Sequence, residues 1–151
     1  MNASVERYAI LSIAKRLRDA FPAVTVQVRG ARTAVVNRTE EEWLALDVLS
    51  MDRRPARVTT WFGEILFQVT CFARFAANRT DAQTDAPWTL AAQVQRELEG
   101  DNLPVQDLDA ASPATFAHLK VLPGDSRYLS RQDENMHAVV LTYRGVLVDT
   151  T

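Results

Sequence analysis

Apolar residues occupy every second position along one central stretch of the chain: Ile65, Phe67, Val69, Cys71, Ala73 and Phe75. The positions between them mix charged, polar and apolar side chains. Because successive side chains of a strand point to opposite faces of a sheet, this pattern predicts a strand over 64–75 with one buried face. A second run over 56–62, separated from the first by Gly63, also predicts a strand.

Two other segments show the three- and four-residue spacing of a helix with one apolar stripe. The first runs from Ser4 to Phe21 and is stopped by Pro22. The second begins near Pro87, which suits the first turn of a helix, and ends at Gly100. Shorter alternating runs predict strands over 24–28, 116–122 and 136–148.

The connecting segments have weaker patterns. Thr39 and Glu42 match a capping box, which predicts the start of a short helix, whereas "WLALDVLSM" also suits a strand. The sequence does not decide between a helix and a strand over 33–52. Residues 101–114 predict an irregular connection with two prolines. The 13 residues 123–135 separate the last two strands, and a loop of that length in a compact domain is typically functional or disordered.

The order of helix, strands, helix and strands indicates an α+β fold. We expect a mixed, largely antiparallel sheet of four to five strands with two main helices packed against it. A chain of 151 residues is long enough to bury one core, which predicts a single domain over 1–151. Hydrophobic residues make up 47% of the chain and charged residues 24%, as in soluble globular proteins, and no apolar run is long enough to span a bilayer.

Few residues suggest enzyme chemistry. The only cysteine, Cys71, lies in the apolar row, where burial makes a thiol inert, so it is predicted to be core. The two histidines, His118 and His137, fall in predicted strands and have no metal-ligand spacing with Cys71. Glycine-rich phosphate loops and nucleophile elbows are absent from the sequence. We therefore expect no catalytic residue, no cofactor and no metal.

Charge is unevenly distributed along the chain. Residues 1–80 hold 12 basic and 8 acidic side chains, whereas residues 81–151 hold 5 basic and 11 acidic ones. Such asymmetry indicates a polar partner, head-to-tail contact between copies, or an accident of sequence order. The candidate subunit-interface residues are the charged groups Arg53, Arg54, Arg57, Arg79, Arg131, Asp133 and Glu134.

Apolar strand surface favours assembly over catalysis. "HAVVLTYRGVLV" and "WFGEILF" are apolar on both faces over several residues, and two helices can cover only one face of a sheet. The uncovered face or edge must then meet loops or another subunit.

Three stretches resemble the tail terminator proteins of long-tailed phages. They are the N-terminal helix with its short strand, the run "EILFQVTCFARF" leading into "PWTLAAQVQREL", and the closing "DSRYLSRQDENMHAVVLTYRGVLV". The resemblance implies a virion protein of the tail–head junction, assembled in the host cytoplasm. It also implies a hexameric ring that caps the tail tube protein, stops its polymerisation, meets the head connector protein and lets DNA pass without sequence-specific binding. No membrane is involved.

Two rival hypotheses remain from the residues alone. One is a small cytoplasmic enzyme with an unrecognised site, and the other is a regulatory binding module. A deep polar pocket containing His118 or His137 would favour the enzyme, whereas a ring seen by electron microscopy would favour the terminator.

Overall fold

A computed structural model describes residues 5–28, 41–55, 61–74, 81–100, 102–131 and 136–149. The two helices of this part are α1 (Val5–Ala20) and α2 (Asp81–Leu98). The strands are β1 (Thr25–Val28), β2 (Glu42–Pro55), β3 (Trp61–Arg74), β4 (Asn102–Gln106), β5 (Thr115–Arg131) and β6 (Met136–Asp149).

The strands form one mixed sheet in the order β1-β2-β3-β6-β5-β4. Among these strands, β1 and β2 pair in parallel, and the other neighbours are antiparallel. The predicted α+β class and the largely antiparallel sheet are therefore confirmed. The predicted count of four to five strands is wrong, because the sheet has six.

Both helices lie on one face of the sheet, which we call the helix face. The alternating row of β3 from Ile65 to Ala73 is buried there, opposite β6 residues such as Val139 and Leu141. Ile13 and Leu17 of α1 and Val94 of α2 complete this core. The opposite side, which neither described helix covers, is the open face.

Helix α2 begins earlier than the sequence indicated. It starts at Asp81, so Pro87 lies inside the helix instead of at its first turn. Pro87 is buried and shares the apolar stripe of Leu90, Ala91 and Val94. Packing of this stripe against β3 and β6 outweighs the loss of one N–H donor at the proline.

The open question over 33–52 is resolved in favour of a strand from Glu42 onward, whereas 31–40 lies outside the described residues. Strand β2 carries a bulge between Val48 and Ser50, which interrupts its alternation. The runs predicted on either side of Gly63 join into the single strand β3.

The strands predicted over 116–122 and 136–148 are confirmed, whereas the connection over 101–114 and the loop over 123–135 were predicted wrongly. Residues 102–106, expected to be irregular, form β4 at the edge of the sheet. The loop predicted over 123–135 is mostly strand, because β5 continues to Arg131 and pairs with β6 up to Met136. A bulge between Leu122 and Asp125 separates the two halves of β5.

Candidate assembly surface

Among the cysteine and the two histidines, Cys71 and His137 are buried, whereas His118 is half-buried on the open face, beside Val148. Cys71 is fully buried between β2 and β6, which confirms its prediction as core. Burial, with a smaller contribution from Glu42, raises the pKa of the Cys71 thiol to about 12. A thiol with that pKa supplies almost no thiolate near neutral pH, so Cys71 is a poor nucleophile.

We expect Cys71→Ala to fold normally and to retain its biological activity. Losing a buried sulfur should lower the free energy of unfolding by roughly 1 kcal/mol. Urea denaturation of both proteins measures this difference. A variant that folds with this stability but loses all activity would show that Cys71 does more than pack.

Both histidines lie in strands, as predicted: His118 in β5 and His137 in β6. His137 is buried, and its Nδ1 lies 3.2 Å from the hydroxyl oxygen of Tyr128. Within the described ranges, no group of three or more His, Cys, Asp or Glu side chains could hold a metal ion. None of the helices in the same ranges is long and apolar enough to cross a membrane.

The open face is concave. Trp43, Ala45, Thr70 and Val140 are buried on it although neither described helix covers them, because the sheet curls around a cavity of about 390 Å³. The Trp43 and Phe72 rings stack with centroids 4.9 Å apart, and the Arg74 guanidinium lies 4.9 Å from the Trp43 ring centroid. His137, Asp47 and Arg127 are among the residues that line the cavity.

Two strand edges are uncovered by any described strand. Strand β1 pairs with β2 only from Trp43 to Leu46, and β4 pairs with β5 only from Thr115 to Lys120. We call Val48–Pro55 of β2 and Asp125–Arg131 of β5 the two open edges. Unpaired backbone N–H and C=O groups on such edges are ready to pair with another chain.

Among the described residues, four of the five exposed large apolar side chains lie on or beside these open edges, and the fifth, Val148, lies on the interior strand β6. Leu49 lies on the β2 edge and is 49% exposed, whereas Tyr128 and Leu129 lie on the β5 edge and are 39% and 42% exposed. Trp88 of α2, 44% exposed, stacks on Tyr128 with ring centroids 6.1 Å apart. Surface of this kind is typical of an interaction site.

The candidate interface residues fall into two groups at opposite ends of the sheet. By strand register, Arg53 and Arg54 lie beside Gly63 and Phe62, and Arg131 lies beside Met136. Gly63 and Arg74, the residues of β3 at these two levels, are eleven residues apart, which corresponds to about 36 Å along a strand. Arg57, Arg79, Asp133 and Glu134 lie outside the described residues.

The sequence contains one further signal for the open edges. "SRYLSR", at 126–131, places Tyr128 and Leu129 between polar residues, which is unusual for a solvated loop. Trp88 could not be linked to it from the sequence, because the contact depends on how α2 lies across the sheet.

Comparison with known proteins shows a shared fold. No protein-family model and no curated protein matches the chain. Among solved structures, it resembles a chain of the virion of a native gene transfer agent (GTA) particle. The likeness covers 98% of this chain and 99% of that one, with a TM-score of 0.57 and 13% sequence identity. The two chains therefore share their fold over nearly their whole length.

Proposed function

We propose that this chain is a structural protein of a phage-like virion. The observation that carries this proposal is the fold shared with a chain of the GTA virion across 98% of the present chain. Within that class we propose a tail terminator, on the sequence resemblance described above. Its copies form a hexameric ring at the tail–head junction that caps the tail tube, stops its polymerisation and meets the head connector.

The chemistry of the described residues supports a role without catalysis. The thiol of Cys71 is buried and resists ionisation, and four of the five exposed large apolar side chains of the described residues lie on or beside the open edges. A virion protein needs surfaces that bind other copies, and the two open edges supply them.

The open face suits a channel through which DNA passes. By register, four acidic residues belong to it (Asp47, Asp52, Glu64 and Asp125), and so do six basic ones (Arg54, Arg74, Lys120, Arg127, Arg131 and Arg144). Because acidic residues lie among the basic ones, the face attracts phosphates less strongly than a uniformly basic groove would. In the ring we place this face toward the DNA and the helices outside.

Deleting the gene in a host that produces the particles tests the proposed role. Without a tail terminator, tails of uncontrolled length and separate, unjoined heads should accumulate, and adding the purified protein should restore joining. Normal particles from the deletion would contradict the proposal. Tails of normal length together with unjoined heads would still indicate a virion protein, but they would rule out a role in terminating tail growth.

The second candidate is an enzyme or a binding module that uses the cavity on the open face. The cavity of about 390 Å³ is large enough for a small ligand, and the charged residues Asp47 and Arg127 line it from the open face. The His137 ring lies on the helix face, beside Tyr128. An Asp47→Asn variant that assembles normally but loses biological activity would favour this candidate over the terminator.

Charge reversal tests whether the uneven charge guides assembly. We expect Arg53→Glu with Arg54→Glu to weaken self-association, most strongly at low salt, because exposed ion pairs are each worth only about 0–1 kcal/mol and are screened. Light scattering at two salt concentrations measures the effect, with Arg96→Glu on the exposed side of α2 as the control.

A compensating reversal identifies the acidic partners. Rescue by Asp107→Arg indicates copies that meet side by side, because Asp107 directly follows β4. Asp109 is left unchanged because it pairs with Arg7 of the same chain. Rescue by Asp133→Arg with Glu134→Arg indicates copies that meet end to end. Equal association of the wild type and the arginine reversal at low salt would mean that the asymmetry is an accident of sequence order.

A further inference from the structure

The two short edge strands, β1 and β4, lie at different heights along the strand direction of the sheet. At the height of each one, the opposite edge of the sheet is an open edge. Following the register from β1 across the sheet, Thr25 is level with Leu129 of β5 and Val28 is level with Ser126. Strand β1 therefore lies at the level of the open edge of β5, four strands away.

The same relation holds in the other direction. Following the register from β4, Asn102 is level with Asp52 of β2 and Pro104 is level with Arg54. Strand β4 therefore lies at the level of the open edge of β2. At each edge of the sheet, a short strand pairs along one half, and no strand of the described residues pairs along the other half.

We propose that the sheets of neighbouring copies join into one continuous sheet. At each junction, one strand position, which we call the shared row, is occupied by β1 of one copy and β4 of the next. In this row, β1 of one copy pairs with the open edge of β5 of the next copy, end to end with that copy's own β4. This inference rests on the homo-oligomer of the proposed function and specifies its contact surfaces. The pairing requires no shift along the strands, as a closed ring of identical contacts demands.

The strand directions fit this pairing. Strand β1 runs parallel to β2, and each further step across the sheet to β3, β6 and β5 reverses the direction. Strand β1 of one copy is therefore antiparallel to β5 of the next, which gives the more stable of the two ladders. Arg18 Nη2 donates to the carbonyl oxygen of Val26 at 3.0 Å, and a carbonyl oxygen has a second lone pair for a further bond.

The other half of the shared row makes a different contact. Pro104 has no N–H, and the N–H of Gln106 donates to Ser12 Oγ at 3.2 Å, so β4 offers few donors to a neighbour's β2. We infer that side chains carry this half of the interface. Arg53 and Arg54 of one copy would lie level with Leu103 and Pro104 of the next, on the strand that leads to Asp107, which gives charge complementarity.

Side-by-side joining also accounts for the exposed apolar groups on the β5 edge. A neighbouring β1 at the level of Ser126–Leu129 would cover Tyr128 and Leu129, and the stack of Trp88 on Tyr128 would become part of the interface. Each copy adds β2, β3, β6, β5 and one shared row. Six copies would give about thirty rows, well above the roughly sixteen to eighteen strands that already enclose a water-filled channel.

Cysteine cross-linking tests the shared row. In a Cys71→Ala background we would mix two single variants, Gln27→Cys and Arg127→Cys, under mild oxidation. The register places Gln27 of one copy directly opposite Arg127 of the next. Opposed residues in an antiparallel pair have Cβ atoms about 4.5–5.5 Å apart, close enough for a disulfide after small adjustments. We expect at least tenfold more covalent dimer than from Gln27→Cys mixed with Arg144→Cys, an exposed β6 position on the same face.

The double variant Gln27→Cys with Arg127→Cys should give a ladder of covalent multimers that stops at the copy number of the ring. Self-linking of Arg127→Cys alone would overturn the proposal in favour of two β5 edges paired about a two-fold axis. Oligomers seen by light scattering without cross-links would overturn the shared row but leave the assembly of the proposed function intact. A protein that stays monomeric at all concentrations would overturn both.

Discussion

Replacing Gly124 by alanine is expected to abolish self-association while most of the chain stays folded. Gly124 lies at the bulge of β5, where a Cβ would collide with the carbonyl oxygen of Thr142 and lie 2.7 Å from its carbonyl carbon. These are backbone atoms of the paired strand β6, so β5 must move away. The open edge of β5 begins at the next residue and would move with it, and the free energy of unfolding should fall by about 1–3 kcal/mol.

A second glycine provides the control. Gly100 has a φ of 82°, and among the described residues no atom lies within 4 Å of the place that an alanine Cβ would take. Gly100→Ala therefore costs backbone strain of about 1 kcal/mol without moving β5. Light scattering and urea denaturation of both variants separate the loss of assembly from the loss of stability. Wild-type association by Gly124→Ala would show that the distal half of β5 is not an assembly surface.

Replacing Gly145 by valine is expected to have the largest effect on folding itself. A Cβ at Gly145 would lie 2.5 Å from Leu119 Cδ1 and 2.9 Å from Ile65 Cγ2. Both neighbours are fully buried, so neither side chain can turn toward solvent. Overpacking should lower the free energy of unfolding by about 3 kcal/mol or slightly more, at the upper end of the usual range.

Urea denaturation measures this loss, and a second substitution tests its cause. Gly145→Ala combined with Leu119→Val removes one methylene from the crowded side chain and should recover part of the stability lost by Gly145→Ala alone. An unchanged denaturation midpoint for Gly145→Val would mean that Leu119 of β5 and Ile65 of β3 pack less closely against Gly145 than the structure shows.

The sequence predicted the parts of the fold in which burial is periodic. The alternation of β3 identified its inward face correctly, and the stripes of α1 and α2 located both helices, because one buried face repeats at the period of the element. Cys71 followed from the same alternation. The start of α2 was predicted too late, because proline is favoured at the first turn of a helix and disfavoured inside one. The packing that buries Pro87 inside α2 is not visible in the local sequence.

The missed strands lack that periodic burial. Residues 123–129 are all exposed, so the distal half of β5 has no alternation to read, although its backbone pairs with β6. Strand β4 has only Leu103 and Val105 as buried residues, with Pro104 between them. The bulge at Leu49 likewise broke the pattern of β2.

The candidate interface was predicted from charges in sequence order, which says nothing of their separation in space. The register separates Arg53 and Arg54 from Arg131 by almost the whole length of the sheet. The open edges, in contrast, arise from how far β1 and β4 extend along their neighbours. How far β1 and β4 extend depends on the complete sheet and leaves no pattern in the local sequence.

Negative-stain electron microscopy of the purified protein tests the central claim most directly. We expect class averages of closed rings with a central channel, a uniform copy number and cyclic symmetry. Rings should disappear in Gly124→Ala and persist in Gly100→Ala. A field of particles no larger than the 16.9 kDa chain, unchanged as protein concentration is raised, would contradict assembly into a ring.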